Sequence, residues 1–209
     1  MLPQRIIAIG ASIVFGRVDP EHGGFVGRLK SLHEKKFTPN AVFNLGISSQ
    51  TSTMLLKRLC VETSVRKPDL IIVSVGLNDL KRQGSLKNSS ETSIKKFSQN
   101  IQNIIRQSKK ICNVMFVSLT PVDERKTTPL LYQKKSYILL DDIKKYADAT
   151  KNICKKEKIP YLDILNKWMK RDYQGFLYKD GMHPNSLGHK DIFLELQSFL
   201  KKYYFQKSK

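Results

Sequence analysis

The 209 residues are 40% hydrophobic, which is sufficient for one α/β domain with a full core, and we expect a single domain over residues 1–209. The 37 Lys and Arg residues against 18 Asp and Glu residues give a formal net charge of +19. The sequence has no single basic stripe interleaved with aromatic residues, so we expect no nucleic-acid partner. Because no apolar run approaches the roughly 20 residues of a membrane span, and the first residues lack the features of a secretory signal, we expect a cytoplasmic protein without integral membrane association.

The chain alternates short apolar runs with segments of helical periodicity. Strands are predicted at residues 5–10, 41–45, 69–75, 113–119 and 159–163. Helices are predicted at residues 24–36, 51–65, 91–109, 136–157 and 188–203. The predicted strands are nearly continuously apolar, as is typical of strands covered by helices on both faces. The pattern therefore predicts an α/β fold, a three-layer α/β/α sandwich with a five-stranded parallel sheet.

Three residues whose groups could take part in catalysis follow the first three predicted strands. Ser12 follows the first, Gly46 the second and Asn78 the third. In the common strand order 2-1-3-4-5, the first strand lies between the second and the third, so their carboxyl ends meet at one crevice. We therefore expect Ser12, Gly46 and Asn78 to converge on one site.

Asp180 and His183 follow the fifth strand with a spacing of three residues. A serine hydroxyl is a weak nucleophile until a base removes its proton, and His183 is a suitable base for Ser12. Asp180 is placed to orient the imidazole and to stabilise its protonated form. The backbone N–H groups of Ser12 and Gly46 and the side-chain amide of Asn78 are candidate donors to an oxyanion. The combination is typical of acyl transfer by a serine hydrolase.

Each of these residues also has an ordinary structural interpretation. Taken alone, Ser12 would be a helix N-cap, Gly46 a turn glycine and Asn78 a loop residue. A histidine beside a proline, such as His183, is usually a loop residue. Their joint occurrence, in order and at predicted strand ends, favours the catalytic interpretation.

The motifs resemble those of a known family. Gly10-Ala-Ser-Ile13, Gly46, Gly76-Leu-Asn-Asp79 and Asp180-Gly-Met-His183 are similar to the four sequence blocks of the SGNH hydrolases, also called GDSL-type lipases and esterases. The resemblance spans residue 5 to about residue 200. It implies a flavodoxin-like fold and hydrolysis of esters or thioesters.

The resemblance also implies roles for individual residues. Ser12 would be the nucleophile, His183 the base and Asp180 its orienter, with Ser12, Gly46 and Asn78 as the oxyanion donors. No cofactor is expected. The family usually has Asp or Asn at the position of Ala11, and the departure implies weaker support of the nucleophile loop.

Other functions fit the sequence less well. A catalytically weakened SGNH-like module that binds acyl or carbohydrate ligands is the alternative function. A metal cluster of Asp180, His183, His189 and Asp191 is disfavoured, because His189 and Asp191 are predicted to open the last helix, and no metal is expected. The chain has no Gly-x-Ser-x-Gly motif, which argues against the α/β-hydrolase fold.

The remaining expectations concern thiols and partners. Cys60, Cys112 and Cys154 are odd in number and widely spaced, which indicates neither a disulfide framework nor a zinc site. The expected partner is a small-molecule acyl ester. The charge of +19 is consistent with an anionic substrate, or alternatively with a lysine-rich surface that is merely well solvated. The sequence does not specify the acyl chain, the leaving group or the oligomeric state.

Overall fold

The computed structural model describes residues 3–35 and 39–206, with side chains described as far as residue 203. A parallel five-stranded sheet has the order β2-β1-β3-β5-β7, which matches the predicted 2-1-3-4-5 order. Its strands are β1 (Arg5–Gly10), β2 (Ala41–Gly46), β3 (Leu70–Ser74), β5 (Asn113–Val117) and β7 (Tyr161–Leu162). A separate antiparallel ribbon pairs β4 (Arg82–Gln83) with β6 (Ser136–Tyr137). The predicted α/β fold with a five-stranded parallel sheet is confirmed.

Helices connect and cover the strands. They are α1 (Ser12–Phe15), α2 (Gly24–Glu34), α3 (Ser52–Ser64), α4 (Ile94–Lys109), α5 (Glu124–Thr127), α6 (Leu140–Lys156), α7 (Ile164–Met169) and α8 (Ser186–Gln206). Helix α2 packs against α8, whereas α4 packs against both α3 and α6. The two groups form the outer layers of the sandwich. Within the described part of the chain, no helix has both the length and the apolar character needed to cross a bilayer.

The apolar runs of the sequence become the strands because both sheet faces are covered. All five residues of β3 are buried, and Ile6–Gly10 of β1 are buried as well. On α4, the residues Phe97, Ile101 and Ile104 recur at helical spacing and are buried against the sheet. The core therefore lies on both sides of β1 and β3, directly beneath the ends of these strands.

Some boundaries differ from the predictions for identifiable reasons. The helix predicted at 136–157 begins at Leu140, because Ser136–Tyr137 pair with Arg82–Gln83 instead. The helix predicted from residue 91 begins at Ile94, because the Ser93 side chain accepts a hydrogen bond from the Lys96 N–H at 3.3 Å and caps it there. The helix predicted at 24–36 ends at Glu34, and its last predicted residue lies outside the described residues.

Candidate active site

Ser12 lies where β1 turns into the four-residue helix α1. A Cβ on Gly10 would lie 2.0 Å from the carbonyl oxygen of Ser74, so only glycine lets the end of β1 pass this close to β3. The N–H of Ala11 donates to the same oxygen at 3.3 Å, and the buried Ala11 side chain provides no cap for α1. Ser12 is the first helical residue, so its own backbone N–H has no acceptor among the described residues.

Asp180 and His183 are held by a tight turn. The Gly181 N–H donates to the Tyr178 carbonyl at 2.8 Å, and the Tyr178 N–H donates to the His183 carbonyl at 2.8 Å. Gly181 adopts a left-handed backbone with φ of 71°, which favours glycine. Asp180 Oδ1 accepts hydrogen bonds from the N–H groups of Met182 at 2.9 Å and His183 at 3.0 Å. The turn thus immobilises the carboxylate that faces the imidazole.

Ser12, His183 and Asp180 form one chain of hydrogen bonds. His183 Nδ1 lies 2.7 Å from Asp180 Oδ2, and His183 Nε2 lies 2.9 Å from Ser12 Oγ. The three residues are 7–8% exposed, so the chain is largely shielded from bulk water. The contacts are consistent with an Nδ1–H that donates to the carboxylate and a serine O–H that donates to Nε2.

The carboxylate of Asp180 is stabilised in its ionised form. Burial raises the pKa of this group, but the hydrogen bonds from the His183 ring and from the backbone of His183 and Met182 outweigh burial. The net pKa therefore lies below the ordinary value, and the group is ionised at neutral pH. A fixed anion at this position favours the imidazolium that forms when His183 accepts a proton.

The side chain of Asn78 is aimed by its neighbours. Its Nδ2 donates one hydrogen bond to the carbonyl of Gln50 at 3.0 Å, which leaves the second amide hydrogen for the pocket. The adjacent Asp79 is fully buried and accepts from the backbone and hydroxyl of Ser52. Burial raises the pKa of Asp79 despite the hydrogen bonds from Ser52. The pair of contacts ties the loop after β3 to the start of α3.

Gly46 does not have the placement that its predicted role requires. Its N–H donates to Asn44 Oδ1 at 2.9 Å, and a Cβ on Gly46 would lie 2.1 Å from the backbone nitrogen of Phe15. Gly46 is therefore packed against α1 and is not among the residues that line the pocket. This placement argues against Gly46 as an oxyanion donor, because its N–H already has an acceptor.

Ser49, three residues later, does line the pocket. It lines the pocket in a left-handed conformation with φ of 64°, and no described residue accepts a hydrogen bond from its N–H. Sequence reasoning missed Ser49 because a backbone donor carries no side-chain signature. A glycine would have signalled the left-handed backbone, and serine does not.

Ser12, His183 and Asp180 open onto a pocket of about 580 Å³. Its lining residues are Ser12, Arg17, Val18, Ser48, Ser49, Leu77, Asn78, Lys81, Leu130, Leu131, Tyr132, Gln133, Ile138, Tyr178, Asp180, Met182 and His183. Residues 130–133, which follow α5, form part of this wall.

The four candidate metal ligands, Asp180, His183, His189 and Asp191, take part in separate interactions. His189 contacts the Arg17 carbonyl and the Phe25 N–H, and Asp191 accepts from Trp168 Nε1 at 2.8 Å. In the described ranges, 3–35 and 39–206, no group of three or more His, Cys, Asp or Glu residues could hold a metal ion.

Comparison with solved structures shows the same fold in proteins of low sequence identity. A lipase/acylhydrolase from Enterococcus faecalis is 20% identical with a TM-score of 0.76, and the match covers 95% of this chain and 96% of that one. A catalytic mutant of an acetylxylan esterase from Geobacillus stearothermophilus is 19% identical with a TM-score of 0.74, and the match covers 94% of each chain. Comparison with curated protein sequences gave no match.

A family model described as the GDSL-like lipase/acylhydrolase family matches residues 8–190. This range includes Ser12, Asn78, Asp180 and His183, so the whole hydrogen-bonded constellation falls within the matched region. The chain therefore belongs to the GDSL-like lipase/acylhydrolase family and is a serine esterase of the SGNH type.

Proposed function

We propose that the protein hydrolyses carboxylic esters or thioesters of small molecules through a covalent acyl intermediate on Ser12. The observation that carries the proposal is the continuous hydrogen-bonded chain from Ser12 Oγ through His183 to Asp180, at 2.9 Å and 2.7 Å, facing a pocket. Such a chain provides a nucleophile, a base within proton-transfer distance and a group that orients the base. Family membership and the acyl-ester activities named for the structural neighbours agree with this chemistry.

In the proposed reaction, Ser12 Oγ attacks the acyl carbon while its proton passes to His183 Nε2. Asp180 stabilises the imidazolium, which then donates the proton to the leaving oxygen or sulfur, releasing an alcohol or a thiol. Nε2 next accepts a proton from water, whose oxygen attacks the acyl-Ser12 ester. His183 then returns this proton to Ser12 Oγ as the bond between Oγ and the acyl carbon breaks, which gives the free carboxylic acid and regenerated Ser12.

The negative charge of the tetrahedral intermediate requires donors. We assign two of them as expected, to the Ser12 N–H and to Asn78 Nδ2. The third is the N–H of Ser49 in place of Gly46, since Ser49 lines the pocket with an unpaired N–H and Gly46 donates to Asn44. The donors come from the loops that follow β1, β2 and β3, whose carboxyl ends are adjacent in the sheet.

The decisive experiment combines a covalent probe with substrate hydrolysis. A fluorophosphonate should label Ser12, identified by peptide mass spectrometry, and Ser12→Ala should remove both the label and the cleavage of 4-nitrophenyl acetate. Ser64→Ala, which changes an exposed serine of α3 outside the pocket, should retain both properties. If folded protein is neither labelled nor active on a broad panel of esters and thioesters, the alternative of an acyl- or carbohydrate-binding module is correct.

A further inference from the structure

We propose that the preferred substrates carry an anionic group, a carboxylate or a phosphate, that is bound by Arg17 and Lys81 beside the reacting ester. This inference rests on the proposed function and names the substrate class of the same site. Its starting point is the charge of the pocket wall. Among the described lining residues, Arg17 and Lys81 are cationic, and the single acidic residue, Asp180, is hydrogen-bonded to His183.

Neither cation has an ion-pair or hydrogen-bond partner for its side chain among the described residues. No described carboxylate lies within 4.0 Å of the Arg17 or Lys81 side chain, and neither side chain donates a hydrogen bond to a described residue. The neighbouring Arg82 has a different environment, since it makes two hydrogen bonds to Asp142 at 2.8 and 2.9 Å. Asp142 is thus paired with Arg82, and the Lys81 ammonium has no carboxylate partner among the described residues.

Lys81 and Arg17 both line the pocket, Lys81 half-buried and Arg17 exposed. Neither has an anionic partner among the described residues, so an anion in the pocket would make charge-assisted hydrogen bonds that no protein group there supplies. The position of these two cations beside the reacting groups, and not the net charge of +19, distinguishes them from the exposed lysines elsewhere on the surface.

Both cations are attached to the loops that provide the reacting groups. The Arg17 N–H donates to the Ser12 carbonyl at 3.0 Å, and the Arg17 carbonyl accepts from His189 Nε2 at 3.1 Å. Lys81 lies three residues after Asn78. A substrate carbonyl held between Ser12 and Asn78 would therefore have one cation on each of the flanking loops.

The remaining residues of the pocket wall favour a substrate with an apolar body. Leu77, Leu130, Leu131, Ile138 and Met182 provide apolar surface around the same space. This combination fits an ester with a compact apolar body and one anionic substituent. Arginine also binds carboxylate and phosphate through two parallel N–H donors. A neutral isostere of the substrate cannot accept both of these hydrogen bonds in the same way, so Arg17 would favour the anionic substrate.

The test uses pairs of esters that differ only in charge. 4-Acetoxybenzoate against 4-acetoxybenzamide places the charge on the leaving group, and 4-methylumbelliferyl glutarate against 4-methylumbelliferyl pentanoate places it on the acyl group. Rates are corrected for alkaline hydrolysis of each ester. We expect the wild type to prefer the charged member of at least one pair by about tenfold in kcat/KM, mainly through KM. 4-Acetoxyphenyl phosphate distinguishes phosphate from carboxylate.

Variants locate the origin of the preference. The double variant Arg17→Gln, Lys81→Met should bring the charged-to-neutral ratio of kcat/KM close to unity, whereas Lys81→Arg should retain most of it. Lys87→Gln is the matched control, because Lys87 is an exposed cation six residues after Lys81 and does not line the pocket. It should leave the ratio unchanged, and circular dichroism should show that all variants fold.

Several results would overturn the inference. No preference in the wild type, or a preference that survives in the double variant, would mean that these two cations do not select the substrate. An equal loss on charged and neutral esters in Lys81→Met would assign Lys81 to the reaction itself. Cleavage of neutral esters without any charge preference refutes this inference alone, whereas absence of cleavage of every ester refutes the proposed function.

Discussion

At the scale of single residues, the orientation of the Asp180 carboxylate decides which nitrogen of His183 is free to act. Oδ1 is occupied by two backbone N–H groups, so only Oδ2 faces the ring. Because Oδ2 accepts from Nδ1–H, the lone pair that receives the serine proton is on Nε2. The catalytic tautomer is therefore determined by the backbone of the turn as well as by the acid.

Asp180→Asn should test this dependence. The asparagine oxygen would remain with the backbone N–H groups, so its NH₂ would face Nδ1 and favour the tautomer protonated on Nε2. That tautomer cannot accept the proton of Ser12, and kcat should fall on the order of 10³–10⁴-fold. Steady-state kinetics and the rate of fluorophosphonate labelling should fall together, while the circular dichroism spectrum stays that of the wild type. A decrease in kcat smaller than tenfold would show that Asp180 does not set the tautomer.

Asn78→Ala removes one proposed donor to the oxyanion and also the contact with the Gln50 carbonyl. Since the donor acts mainly on charge that develops in the transition state, kcat should fall by about 10²–10³-fold with a smaller change in KM. Asn88→Ala is a suitable control, because Asn88 donates to the Gln83 carbonyl away from the pocket. A change confined to KM would assign Asn78 to ground-state binding.

At the scale of elements, Arg58 of α3 connects the ends of two strands to the loop that carries Ser49. Its Nη2 donates to the carbonyl of Leu45 at 2.7 Å and to that of Gly10 at 3.3 Å. Its Nε donates to the Gln50 side chain at 2.7 Å. One guanidinium therefore holds β1, β2 and the following loop in register beneath the pocket.

Arg58→Lys should separate charge from geometry. A lysine keeps the positive charge but cannot reach these acceptors at once, so the part-buried carbonyl of Leu45 would lose the donor that Arg58 provides, whereas that of Gly10 would still accept from the Ile47 N–H. We expect unfolding in urea to show a loss of about 1–3 kcal/mol, together with a measurable decrease in kcat. Lys57→Met changes an exposed residue of the same helix and should have little effect on either quantity. Unchanged stability in Arg58→Lys would mean that the guanidinium contacts are dispensable.

At the scale of the whole molecule, His189 joins the loop after α1 to the last helix. Its Nδ1 accepts from the Phe25 N–H at 3.3 Å and its Nε2 donates to the Arg17 carbonyl at 3.1 Å. The side chain is fully buried, and this burial lowers the pKa of His189 to about 4. The nearby Asp19 is held in an ion pair with Arg28. A neutral imidazole is thus part of the fold.

The stability of the protein should consequently depend on pH through His189. A pKa that is depressed on folding means that the unfolded chain binds more protons between about pH 6.5 and pH 4. The stabilisation is present above the unfolded value and is lost as the pH falls through this window, by up to about 3 kcal/mol. Urea unfolding at pH 7 and pH 4.5 should show a smaller decrease in His189→Gln than in the wild type. The exposed His22→Gln should behave like the wild type. Equal decreases in all three proteins would contradict the assignment.

The sequence predicts features that depend on local patterns better than it predicts contacts between segments distant along the chain. The strands and their order follow from apolar runs such as 69–75, because local pattern and buried faces agree there. Ser12, Asp180 and His183 were recognisable because their side chains carry the chemistry. Ser49 was not, since only its backbone acts in the proposed site. The contacts of Arg58 and the ribbon of β4 and β6 also escaped prediction, because they join segments distant in sequence and local periodicity does not encode such pairings.

The hydrogen bond between Ser12 and His183 joins residues 171 positions apart in the chain. During synthesis on the ribosome, the nucleophile would emerge long before its base, and β1 would wait for β7 and α8 to complete the sandwich. A nascent chain arrested anywhere before residue 183 carries a serine without a proton acceptor. Hydrolysis can therefore begin only after the loop that follows β1 and the turn of Asp180 and His183 have come together, so the onset of turnover reports the assembly of these two distant segments.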